Sequence, residues 1–131
     1  MIVVDTSALV SLYVPESDAS RIGRVMAQAD AVSIPSSCLV EFALLRRLTG
    51  DRRIWLARLI ERLDIRVVSI TREIAEIAAE AAVLYGRGSG HSAHLNFGDC
   101  LSYAVAKHVG APLLYKGDDF VHTDIESAAI R

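Results

Sequence analysis

The chain has 131 residues, 52% of them hydrophobic and 23% charged, with a formal net charge of −2. That balance is expected of one globular domain spanning 1–131, and it excludes a disordered or disulfide-dense chain. No apolar run approaches the roughly 20 residues that cross a bilayer, and Glu41 interrupts the best candidate stretch, 38–45.

In chain order, 2–4 is a short, wholly apolar and β-branched run, which predicts a strand buried on both faces. Thr6 or Ser7 is placed to cap the short helix that follows, and Pro15 ends it. A second helix is expected over 18–29, with Ile22, Val25 and Met26 at helical spacing, and a second strand over 31–34. Ser36 and Ser37 open a helix expected to run to Thr49, where Gly50 stops it. Further helices are expected over 52–63 and 71–85, with a third strand over 66–69 between them. The Gly/Ser-rich stretch 86–92 reads as a loop too short to link domains. Asp99 opens a helix to Val109, Gly110 ends it, and 113–115 is a fourth strand. Short apolar strands alternating with helices argue for an α/β domain around a mostly parallel sheet of four to five strands flanked by helices.

The chemistry-bearing residues are acids. Asp5 follows the first strand directly, and ligands of open parallel sheets bind at the carboxyl ends of strands; alternatively it caps the next helix. Glu41 lies in Cys38-Leu39-Val40-Glu41-Phe42-Ala43-Leu44-Leu45, where apolar residues cover nearly the whole circumference. A helix of that kind is expected to be buried on most sides, and an unpaired carboxylate there is costly. Asp99 stands at the mouth of a helix, where an anion is favoured and a simple cap competes with a functional role. Asp118 and Asp119 follow the fourth strand, where a solvated turn is the plainer reading. Taken together, Asp5, Glu41, Asp99 and the Asp118-Asp119 pair suggest one acidic pocket whose mutual repulsion calls for a cation. Oxygen-only ligands select a hard ion, Mg²⁺ or Mn²⁺, and such ions activate water against a phosphodiester.

Four segments carry a resemblance: Val3-Val4-Asp5-Thr6-Ser7-Ala8-Leu9; Glu41 in its helix; 95–104, which includes Asn96-Phe97-Gly98-Asp99; and 113–120, which ends in Gly117-Asp118-Asp119-Phe120. With the tail Thr123-Asp124-Ile125, they resemble the PIN-domain ribonucleases, and specifically the VapC toxins of bacterial toxin–antitoxin pairs. The resemblance implies a PIN fold and a metal-dependent endoribonuclease that acts on RNA, is dimeric and is held inactive by a VapB-type antitoxin. Carried over residue by residue, it makes Asp5, Glu41, Asp99 and Asp119 the catalytic, metal-holding acids. Ser7, Asn96 and Asp118 become supporting residues.

Twelve of the 14 basic residues are arginine, and six of these fall within 46–62. Arg46, Arg47 and the loop residue Arg87 are therefore candidates for RNA contact, against the alternative of solvated surface. Cys38 and Cys100 have no framework or metal-type spacing, and the chain opens on a strand pattern, so a reducing cytoplasm is the expected location. No zinc spacing, nucleophile elbow, P-loop or dinucleotide fingerprint is present. Haloacid-type phosphatases need a second aspartate two residues after the first, and position 7 is Ser. Two other readings stay open: an RNA-processing PIN nuclease that is not a toxin, and a non-catalytic PIN-like interaction module.

Overall fold

The computed structural model describes residues 1–128; the last three residues of the expected 1–131 domain lie outside it. The elements are β1 (Ile2–Val4), α1 (Thr6–Tyr13), α2 (Ala19–Gln28), β2 (Val32–Pro35) and α3 (Ser36–Ala43). They are followed by α4 (Arg52–Arg62), β3 (Arg66–Val68), α5 (Arg72–Tyr85), α6 (Phe97–Val109) and β4 (Leu113–Leu114). The four strands form one parallel sheet in the order β3-β2-β1-β4. Val3 sits opposite both Ser33 of β2 and Leu113 of β4, so β1 is central.

Successive side chains of a strand face opposite ways, and β1 sorts accordingly. Ile2 and Val4 enter a core built with α1–α4, while Val3 enters a second core formed by α5 and α6. The chain leaves β1 toward β2 and later returns on its other side at β4, so the strand order reverses between β1 and β4. Such a reversal opens a crevice at the carboxyl ends of the strands, and Asp5 stands there.

Several boundaries differ from those expected. α3 ends at Ala43 rather than Thr49. Arg52 reaches back to donate to the carbonyls of Ala43 and Leu48, and Leu48 is buried. These tertiary contacts break the helix before Gly50 is reached. Gly50 still has a task, because its φ is +87° and a Cβ there would lie 2.6 Å from the Tyr13 hydroxyl. Tyr13 uses that hydroxyl to bond the Thr49 carbonyl. β3 and β4 are each shorter than expected by one residue. Beyond β4, Ser127 bridges Leu113 in parallel, and Asp124 accepts from Tyr103 and Lys107, which ties the tail down.

The α1–α4 core centres on Phe42, which is 1% exposed and meets Tyr13 edge-on at 5.5 Å and Trp55 at 5.6 Å. Phe42→Ala removes the centre of this aromatic group and leaves a cavity. It should destabilise the fold by about 3–5 kcal/mol in denaturant unfolding; a loss under about 1 kcal/mol would contradict this packing.

Among the described residues, no helix is long and apolar enough to cross a membrane. α3 is not enclosed as its composition suggested. Leu39, Val40 and Leu44 are exposed, Val40 at 63%. Its apolar circumference therefore lies partly on the surface, with Cys38 and Phe42 turned into the core.

Candidate active site

Asp5 ends β1 and caps α1. One carboxylate oxygen, Oδ2, accepts from the Ser7 backbone N–H at 3.0 Å and from Ser7 Oγ at 2.7 Å. The two readings of Asp5, as cap and as pocket acid, are therefore both realised in one side chain. Its backbone N–H also donates to the Leu114 carbonyl, joining the site to β4. Ser7 Oγ itself accepts from the Lys116 N–H at 3.0 Å. Neither Thr6 nor Ser7 is the helix cap; the Thr6 hydroxyl donates to Glu41 Oε1 instead.

Asp99 is also a cap and a pocket residue at once. α6 begins at Phe97, two residues earlier than expected, with Asn96 as its N-cap. The Asn96 side chain accepts from the Asp99 N–H at 2.8 Å, and Asp99 Oδ2 accepts from the Asn96 N–H at 3.0 Å, a reciprocal capping box. Asn96 thus fixes Asp99 by backbone geometry. Glu41 approaches the same helix start from α3, so closely that a Cβ on Gly98 would lie 2.0 Å from its Oε2. Glycine at 98 is the condition for the two helices to bring these acids together.

Burial and neighbouring charge act together on these acids. Burial first, and then the charges of Asp5, Asp119 and Glu41, push the Asp99 carboxyl up from 3.8 to about 7, against the opposing Asn96 N–H bond. Glu41 is also raised, first by burial and then by Asp5, although its bond from Thr6 opposes this. Beneath them, burial and the charges of Asp5 and Glu41 push the Cys38 thiol up to about 12. It is a neutral packing group, not a ligand or nucleophile. Among the described residues, none of these four acids forms an ion pair.

Asp118 and Asp119 lie exposed in the turn after β4, with buried Phe120 anchoring it against Tyr115. The charge of Asp119 is one of those that raise Asp99, after burial and the charge of Asp5. Arg46 and Arg47 are exposed in the turn after α3, and Arg87 is exposed just past α5, its Nε donating to the His94 carbonyl. None of the three pairs with the acids. Thr6, Gly98 and Lys116 are the contributors that sequence reasoning missed. A Gly immediately before an acid at a helix start was the available signal for Gly98.

What the arrangement offers is a set of hard oxygen donors carrying uncompensated negative charge, which fits a hard divalent cation. Among the described residues, no three acids, thiols or imidazoles stand close enough to enclose an ion by themselves.

An open parallel sheet with a half-buried acid cluster at its topological switch point places the site where ligands of α/β folds bind. Residues 2–126 match the model of the PIN domain family. Ribonuclease VapC28 of Mycobacterium tuberculosis is 40% identical over 131 residues, covering 98% of each chain. Ribonuclease VapC42 of the same species is 40% identical over 130 residues, covering 96% of this chain and 98% of its own. The crystal structure of Mycobacterium tuberculosis VapC20, a sarcin-ricin loop cleaving toxin, superposes with a TM-score of 0.76 at 26% identity, covering 99% of this chain and 100% of that one. The chain belongs to the PIN-domain family, among its VapC ribonucleases.

Proposed function

We propose that this chain is the endoribonuclease toxin of a VapBC-type pair, cleaving RNA phosphodiester bonds with water activated by Mg²⁺ or Mn²⁺. The observation that carries this reading is the unpaired acid cluster, in which burial and the three neighbouring acids push Asp99 up to about 7. Near-complete relatives named as ribonucleases support it.

Asp5, Glu41, Asp99 and Asp119 would hold the metal, which supplies charge for the phosphate and lowers the pKa of a bound water. The residues around them do the positioning. Ser7 directs both its donors at one oxygen of Asp5, Thr6 orients Glu41, and Asn96 locks Asp99 to the start of α6. Asp118 lies beside Asp119 as an accessory acid. Arg46, Arg47 and Arg87 are exposed and would meet the RNA backbone, attracting its charge without reading its sequence. The exposed apolar residues Leu39, Val40 and Ile54 of α3 and α4, and Phe97 at 83% exposure, suit a VapB-type antitoxin and a second copy of the chain. The expected place of action is the cytoplasm, where both cysteines remain free thiols.

The purified, antitoxin-free protein should cut RNA with Mg²⁺ or Mn²⁺ and stop when the ion is chelated. No cleavage with either ion would overturn the reading. Gly98→Ala tests the site more finely. The new methyl has to displace the Glu41 carboxylate, which sits at the end of a flexible side chain, so the fold survives while the acid moves. Cleavage should fall by about 10- to 100-fold, as small misplacements do, with Tm little changed. Unaltered cleavage would show that the position of Glu41 is not needed.

A further inference from the structure

We propose that Lys116 is a positioning residue of the acidic site, whose side chain clamps the end of β4 so that its own backbone N–H holds Ser7 against Asp5. The proposal rests on the nuclease reading above.

The Lys116 ammonium group lies 2.9 Å from Glu16 Oε2 and 3.3 Å from Asp18 Oδ1, both in the turn between α1 and α2. Asp18 is held in its turn by Ser11, which donates to Oδ1 at 2.8 Å, and by Arg21 at 3.6 Å. The Glu16 N–H donates to the Ser11 carbonyl. The anchoring carboxylates are therefore fixed to α1, the helix that Asp5 caps. From the other end, the Lys116 N–H donates to Ser7 Oγ, which donates to Asp5 Oδ2. The loop is closed: α1 holds the anchors, the anchors hold Lys116, and Lys116 orients a hydroxyl on α1 toward the acid before it.

The closed loop matters because the segment after β4 has no regular structure to place it. Its neighbours in sequence, Gly117 and Asp118, are exposed, and Asp119 follows only three residues on. A hydroxyl that accepts from the Lys116 amide has its proton directed to the carboxylate, so Oδ2 is satisfied twice by Ser7 and Oδ1 receives neither donor. Lys116 thus sets two members of the site at once: Asp5 through Ser7, and Asp119 through the backbone they share. A lysine this close to the site could also contact RNA phosphate directly, but its ammonium is turned to Glu16 and Asp18.

The test compares Lys116→Met, Lys116→Arg and the pair Glu16→Gln with Asp18→Asn, using wild type and Asp5→Asn as controls. Amide hydrogen exchange at residues 114–120 and steady-state RNA cleavage are both measured. Lys116→Met and the double variant should each raise exchange of the Lys116 amide about tenfold and lower kcat about tenfold, with KM nearly unchanged. Lys116→Arg should recover most of both. If exchange and kcat stay at wild-type values, the clamp is wrong. If KM alone rises and the effect vanishes at high salt, Lys116 is a phosphate contact and the proposal is equally overturned. The double variant answers should Lys116→Met fail to fold. If wild type itself cuts no RNA, the nuclease reading fails, while the exchange data still decide the clamp.

Discussion

Asp5→Asn is expected to reduce RNA cleavage by at least about 10³-fold, roughly 4 kcal/mol of transition-state stabilisation, while Tm stays level or rises. Asparagine keeps the shape of the residue and one carbonyl oxygen, so it still accepts from the Ser7 N–H and hydroxyl and still caps α1. What it removes is a charge that Asp5, only 4% exposed, cannot hand to solvent. Asp5 raises the pKa of both Glu41 and Asp99, so its neutralisation relieves both. A site arranged for a cation is destabilised without one, and stability gained by an inactivating change is the signature of that trade. Two measurements check it: cleavage of a defined RNA under single-turnover conditions, and carboxyl NMR titration, in which Asp99 should move down toward 3.8. Cleavage within tenfold of wild type would remove Asp5 from the chemistry.

How far the sequence could lead here depended on whether a residue's role was local. Strand β1, helix α5 and the stop of α6 at Gly110 follow from apolar pattern and turn chemistry, and the structure places them as read. The end of α3 was not legible, because Arg52 bonding back to Ala43 and Leu48 is a tertiary event that leaves no local signal. Among the acids, the competing readings of Asp5 and Asp99 as helix caps proved compatible with the pocket rather than exclusive of it. A carboxylate offers two oxygens, and capping occupies only one. Glu41 was conspicuous for the wrong reason. Its helix looks interior by composition, yet the residues around it are half open, and its burial comes from the start of α6 pressing on it at Gly98. The parallel order β3-β2-β1-β4 could be expected in kind, but which acids it would gather was carried by the resemblance rather than by periodicity.

The metal-free protein should lose stability as pH rises from about 4 to 7, and a divalent cation should restore it at the upper end of that range. Unfolded, Asp99 titrates near its ordinary 3.8; folded, it titrates at about 7. Between those values the folded state holds the proton more often than the unfolded state does, so its stability falls as pH rises through the window. Below about 4 both states are protonated and the slope from this group disappears; above about 7 both are ionised and the full penalty stands. Glu41 is displaced in the same direction. At about 1.4 kcal/mol per pKa unit, the effect is on the order of a few kcal/mol. Mg²⁺ or Mn²⁺ binds the ionised carboxylates, so it should raise Tm at pH 8 much more than at pH 5. At 100 times Kd the gain is about 2.7 kcal/mol. Thermal unfolding from pH 4.5 to 8, with and without the ion, measures both halves. A flat metal-free profile would show that the acids do not oppose one another. A sloping profile with no response to the ion would make them a strained structural feature and not a metal site. In Asp5→Asn the slope should shrink and the response to the ion weaken together, because both originate in the same uncompensated charge.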